Sequence, residues 1–198
     1  MKTKTINLYK FEELTAEQQE KVLDKYRDFN DDVFESYVND ECNTLEIIES
    51  GFNNPEIHYS LSYSQGDGAC FDCNDFDFDL LLKDWQHKHK NWIVNILKNY
   101  CEFGISRNQF GYHYSHANTR NFEINYCSSP LDYDFHKRII QAINEAEKYI
   151  ENLRYKLAEN LTNRLYEQLE WLQSDEQIAE SLIDNEYYFN AETLEIEY

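Results

Sequence analysis

The sequence predicts an α+β fold, an antiparallel sheet packed by helices, with one long C-terminal helix at about 133–172 and a terminal β-hairpin. Three observations carry this expectation. Strand and helix patterns do not alternate regularly, which argues against a parallel α/β sheet. Apolar residues recur every three or four positions from Phe135 to Leu172, the signature of a helix with one buried stripe. Residues 187–197 read as a closing hairpin. Only Pro55 and Pro130 interrupt the chain and no Ser- or Gly-rich linker separates its parts, so a single domain spanning 1–198 is expected.

Taken in order, Thr3 to Tyr9 alternate as a strand with one buried face. Thr15-Ala16-Glu17-Gln18 is a capping box, and Val22, Leu23, Tyr26 and Phe29 continue it at helical spacing. A second helical pattern runs through Val33, Phe34, Tyr37, Val38, Leu45 and Ile48 and stops at Ser50-Gly51. Residues 56–63 alternate again as a strand, and a short strand follows near 69–73. Trp92, Ile93, Ile96, Leu97 and Tyr100 form the apolar face of a helix over 91–103. Two strands, about 109–115 and 121–126, flank Ser115 to Thr119 as a hairpin. The long helix at 133–172 would reach roughly 60 Å at 1.5 Å per residue, which predicts that it is bent, broken once or projecting. A short helix over Asp175 to Asp184 precedes the closing hairpin.

Charge narrows the partners. The 198 residues hold 18 basic and 38 acidic side chains, a formal net charge of −20. Such a surface repels phosphate, so direct binding of nucleic acid or an anionic membrane is disfavoured and basic partners are favoured. The imbalance lies mostly in the terminal segments: residues 1–50 carry 6 basic and 13 acidic groups, and 151–198 carry 3 and 12. Sixteen Tyr, twelve Phe and three Trp supply a core and argue against disorder. The polar opening MKTKTINLYK and five Cys without a dense framework predict a cytoplasmic protein with reduced thiols.

The sharpest local feature is Gln65-Gly66-Asp67-Gly68, two glycines bracketing an Asp between two strands. Turn chemistry alone explains these residues. A binding loop is the alternative, in which glycine permits close backbone approach, Gln65 offers donor and acceptor, Asp67 one anionic contact, and His113 and His116 lie alongside. Cys70 and Cys73 form one C-x-x-C and His113 and His116 one H-x-x-H. The histidine spacing is too short for a zinc finger and the connection too long, so no metal or other cofactor is expected. Asp75, Asp77 and Asp79 alternate with Phe76 and Phe78, and on an extended chain would form an anionic ridge. The EF-hand pattern fails, because the sixth and twelfth places hold Leu80 and Gln86. No nucleophile elbow, P-loop or zincin motif is present, so an enzyme is not expected.

Thr15 to Lys21 after the opening strand, the S-x-S-Q-G-D-G-A-C-F stretch at 62–71, Tyr112 to His116 and Tyr188 to Glu192 are similar to a group of phage and prophage proteins described as antitoxins of a toxin–antitoxin stability system. The resemblance implies a small protein made in an infected bacterial cytoplasm and supplies no catalytic assignment.

Three functions follow as expectations. The first is a phage-encoded inhibitor that occupies a basic nucleic-acid-binding surface on a host nuclease or CRISPR effector, using Glu151, Glu159, Glu167, Glu170, Asp175, Glu176 and Glu180 with the Asp75, Asp77 and Asp79 ridge. The second is a small-ligand or peptide binder using the Gln65–Gly68 loop with His113 and His116. The third is a dimerising module built on the long helix, with monomer and homodimer both open.

Overall fold

The computed structural model describes residues 6–62, 64–89, 91–127 and 133–197. The sequence readings at Thr3 to Thr5, Tyr63 and Pro130 lie outside them. The fold is α+β, as expected, with helices and antiparallel strand pairs. The chain groups into two compact units, one formed by residues up to Tyr37 and from Tyr166 onward, the other by Val38–Leu165. No helix among the described residues is long and apolar enough to cross a membrane.

The first unit opens with β1 (Leu8–Lys10), a 3-10 turn (Phe11–Glu13) and α1 (Ala16–Lys25). Thr15 and Gln18 cap α1 reciprocally, as the capping box predicts. Following the end of the long helix come α8 (Asp175–Asp184), β8 (Tyr188–Asn190) and β9 (Ile196–Glu197). The terminal hairpin forms, and β1 adds to it antiparallel, pairing Leu8 with Asn190 and Tyr9 with Phe189. Phe11, Leu14, Val22, Ile178, Leu182 and Phe189 make its core.

The second unit contains α3 (Glu41–Glu49), β2 (Phe52–Asn53), β3 (Glu56–Ser60), β4 (Gly68–Asp72), β5 (Asp75–Phe76), α4 (Phe78–Leu81), α5 (Lys83–Gln86), α6 (Asn91–Tyr100), β6 (Cys101–Arg107) and β7 (Arg120–Tyr126). The helix α7 (Tyr133–Leu172) is unbroken over 40 residues; it contributes to this unit through Leu165 and to the first from Tyr166. Phe52, Phe71, Phe76, Phe103 and Phe122 meet edge to face around Phe52 and Phe122, with centroids 5.2–6.4 Å apart. Leu157, Ala158 and Leu161 of α7 are buried.

Among the described residues the strands pair as four small antiparallel sheets. Four readings need correction. The second helical pattern is two helices, α2 (Asp31–Val38) and α3, because the Asp40 carboxylate accepts from Cys42 N and starts a new helix. Residues 109–115 form no strand: Gln109–Tyr112 is a 3-10 turn, and the partner of β7 is β6, in register from Cys101↔Tyr126 to Arg107↔Arg120. The 91–103 helix therefore ends at Tyr100, where Cys101-Glu102-Phe103 turns to strand alternation. Asp75, Asp77 and Asp79 lie on no common extended face, because Asp77 caps α4 by accepting from the backbone N–H of Asp79 and Leu80.

Candidate functional site

The sharp loop is held from within. The Asp67 carboxylate accepts from Ser64 N at 2.6 Å and from the hydroxyls of Ser60, Ser62 and Ser64 at 2.8–3.3 Å. The backbone N–H of Ser64 first, and the three serine hydroxyls with it, hold this carboxyl down at about 2. The carboxylate is thus a staple for the loop, with Ser60 ending β3 and Gly68 beginning β4.

Both glycines are needed. Gly66 has φ +97° and a Cβ there would lie 2.5 Å from Tyr114 Cδ1; Gly68 has φ +149° and its Cβ would lie 2.9 Å from His116 Cβ. The 113–116 segment therefore lies directly on the loop, at distances only glycine allows. His116 itself caps the 3-10 turn Ala117–Thr119, its Nδ1 accepting from Asn118 N at 3.2 Å. Burial pushes the His116 pKa down and so favours the neutral ring; with Nδ1 an acceptor, the ring carries its proton on Nε2.

The third wall is α7. Thr162 Oγ1 accepts from Ala69 N at 2.8 Å and donates to Ala158 O at 2.8 Å, which ties the helix to the first residues of β4. Deeper in, Arg154 is fully buried and donates to Ala117 O at 3.0 Å, to Arg120 O at 2.7 Å and to both Glu151 oxygens at 2.7 and 2.8 Å. Glu151 also accepts from Phe122 N at 2.9 Å, and Glu147 from Ile124 N at 3.1 Å. One helical turn on α7 thus matches two residues on β7, and the strand's open edge is satisfied by carboxylates.

Loop, turn and helix enclose a cleft of about 550 Å³ lined by Gly66, Asp67 and Gly68, by His116, Ala117 and Asn118, and by Tyr155, Glu159, Asn160, Thr162 and Asn163. No Lys or Arg lines it among the described residues. Among the described residues, the side chains of Asn118, Tyr155, Glu159 and Asn163 carry no hydrogen-bond or ion-pair partner, and Asn160 uses only its Nδ2, on Glu46 at 3.0 Å.

The loop set read from sequence is divided by this geometry. Gly66, Asp67, Gly68 and His116 line the cleft, whereas Gln65 is exposed at the loop tip and His113 is exposed beside Tyr114, neither forming a wall. Of the helical contributors the sequence reading names Glu159 alone, as one of the acidic set; Tyr155, Asn160, Thr162 and Asn163 were missed, although Tyr155, Glu159, Thr162 and Asn163 recur at helical spacing as a polar stripe within the leucine-rich helix.

The acidic set is divided too. Glu151 is committed to Arg154 and Phe122, Asp175 to Arg27 at 2.5 Å, Asp79 to Lys98, and Asp75 accepts from Asn53 at 3.3 Å. Glu159 belongs to the cleft. Glu167, Glu170, Glu176 and Glu180 are exposed in the first unit.

Cys70 and Cys73 are both buried. Cys70 is fully buried and receives Thr119 Oγ1 at 3.6 Å, and the Cys73 thiol donates to Asn53 O and Asp75 O at 2.9 and 2.8 Å. Burial pushes both thiols up. Among the described residues no three His, Cys, Asp or Glu side chains gather as a metal site.

The fold and the cleft define a mixed α+β protein with a polar recess. The chain belongs to a family described as Domain of unknown function (DUF8835), whose model matches residues 29–175, a stretch that contains the entire cleft. No curated protein and no solved structure matches it.

Proposed function

We propose that the protein binds a small polar ligand in the cleft between the Gly66–Gly68 loop, the His116 turn and α7, as a binder and not a catalyst. The carrying observation is the concentration of unspent hydrogen-bonding groups there: Asn118, Tyr155, Glu159 and Asn163 have no partner among the described residues, while the Thr162 hydroxyl, the Asp67 carboxylate and the Nε and Nη2 of Arg154 are committed. A site built this way is preorganised, its walls fixed and its ligand-facing groups free. The test is equilibrium dialysis of the protein against a bacterial metabolite extract, read by mass spectrometry, beside an Asn163→Trp variant that fills the cleft from an exposed helical position. At least one compound should be enriched by the wild type and lost in the variant. Equal enrichment by both would overturn the reading.

A second reading has its own support in the first unit. Residues 166–198 hold ten carboxylates and no Lys or Arg, and the whole unit has nineteen acidic against six basic side chains, a formal net charge of −13. On this reading a basic host protein, a nuclease or an RNA-guided complex met in an infected bacterial cytoplasm, is occupied by Glu167, Glu170, Glu176 and Glu180, and the protein acts as a phage-encoded inhibitor. Binding to such a partner should weaken steeply with salt and on replacing these four by Gln. Salt-independent binding would contradict it.

A further inference from the structure

We infer that the ligand of the cleft carries a protonated amine, held by Glu159. The inference rests on the cleft being a binding site and adds the chemical class of what enters it. The first ground is charge. Among the described residues two carboxylates and no Lys or Arg line the recess, and the Asp67 carboxylate is spent on Ser64 N and three serine hydroxyls. Glu159 is therefore the one lining carboxylate free to meet a cation; it has no ion-pair partner among the described residues.

The second ground is the balance of donors and acceptors. Asn160 has committed its Nδ2 to Glu46, which leaves its carbonyl oxygen as an acceptor. Thr162 has committed its proton to Ala158 O. Against these acceptors the obligatory side-chain donor among the described lining residues is the Nε2–H of His116, because Nδ1 takes the Asn118 amide proton. Asn118, Asn163 and Tyr155 serve either way. An anion would meet the exposed Glu159 carboxylate with no Lys or Arg among the described lining residues to offset it, and would be disfavoured. A group with several N–H donors and a positive charge satisfies Glu159 and Asn160 together.

A matched four-carbon series tests this: putrescine, butanediol and succinate, titrated by calorimetry and by amide NMR shifts. Putrescine should bind saturably and shift Gly68, Asn118 and Thr162, and succinate should not. Glu159→Gln should weaken putrescine about tenfold, the loss of one charge-assisted hydrogen bond. Glu180→Gln, the same charge change in the other unit, should leave it within about twofold. Equal loss in the two variants would show diffuse attraction to an acidic chain and overturn the inference, as would failure of putrescine to shift the cleft amides. Butanediol or succinate shifting those amides in place of putrescine would also overturn the amine class while leaving the cleft a binding site. Failure of the cleft itself is read separately, from the Asn163→Trp dialysis.

Discussion

The hydroxyl of Thr162 accepts the backbone N–H of Ala69 at 2.8 Å, and Ala69 is fully buried. A side chain on α7 thereby satisfies the start of strand β4 beside the loop. Thr162→Val, nearly the same shape without the hydroxyl, should destabilise the protein by about 1–3 kcal/mol, because a buried N–H is left unpaired. Thr162→Ser should recover most of it. Chemical denaturation of the two variants checks this; equal stabilities would mean that the contact contributes nothing.

Gly66→Ala should cost about 1–3 kcal/mol, from a positive φ and from a methyl placed against the Tyr114 ring. Adding Tyr114→Ala should restore only the steric part, since the backbone conformation is unchanged. The double-mutant cycle therefore shows a coupling between the two positions. Additive losses would separate the loop from the 113–116 segment.

Arg154→Met should be the most damaging of these substitutions, at about 3–5 kcal/mol, because it leaves Ala117 O, Arg120 O and part of Glu151 without their donor. It should also loosen the His116 turn, seen as faster amide exchange at Asn118 and Thr119. A stable variant with unchanged exchange would refute Arg154 as the positioning residue for that wall.

Two titrations follow from the loop and the turn. The His116 pKa is lowered in the fold by burial, so the unfolded chain takes up a proton first as pH falls. His116 therefore contributes stability that is complete above the unfolded value of about 6.5 and is lost as pH falls from there through its lowered folded pKa. His116→Gln should flatten the stability profile in that window. Asp67 behaves at lower pH: its carboxyl, held at about 2 against a usual 3.8, contributes above 3.8, and that contribution is lost as pH falls through about 2. The Ser64 amide shift should report that midpoint, and Asp67→Asn should abolish it.

Much of the fold could be read from residues because local chemistry and tertiary structure agree there. Thr15 and Gln18 cap a helix, Ser174 caps α8, and the apolar stripe from Ile139 to Leu172 marks the long helix. Reading failed where tertiary pairing decides. Residues 101–107 continue an amphipathic pattern yet pair with β7, and nothing local at 109–112 distinguishes a 3-10 turn from a strand. The cleft was half legible. Two glycines around an Asp announce a tight loop, but the wall that completes it lies some ninety residues away on α7, where Thr162 and Asn163 look like an ordinary polar interruption. The acidic reading overcounted for the opposite reason: a carboxylate's sequence position does not show whether an arginine, as at Glu151 and Asp175, already holds it.

The most direct measurement is an amide NMR titration of the wild-type chain with the compound that dialysis enriches. Binding in the cleft predicts saturable shifts confined to Gly66–Ala69, His116–Asn118 and Tyr155–Asn163, all absent in Asn163→Trp. Shifts concentrated instead in residues 6–37 and 166–197, or persisting in the filled variant, would contradict the cleft as the site of function.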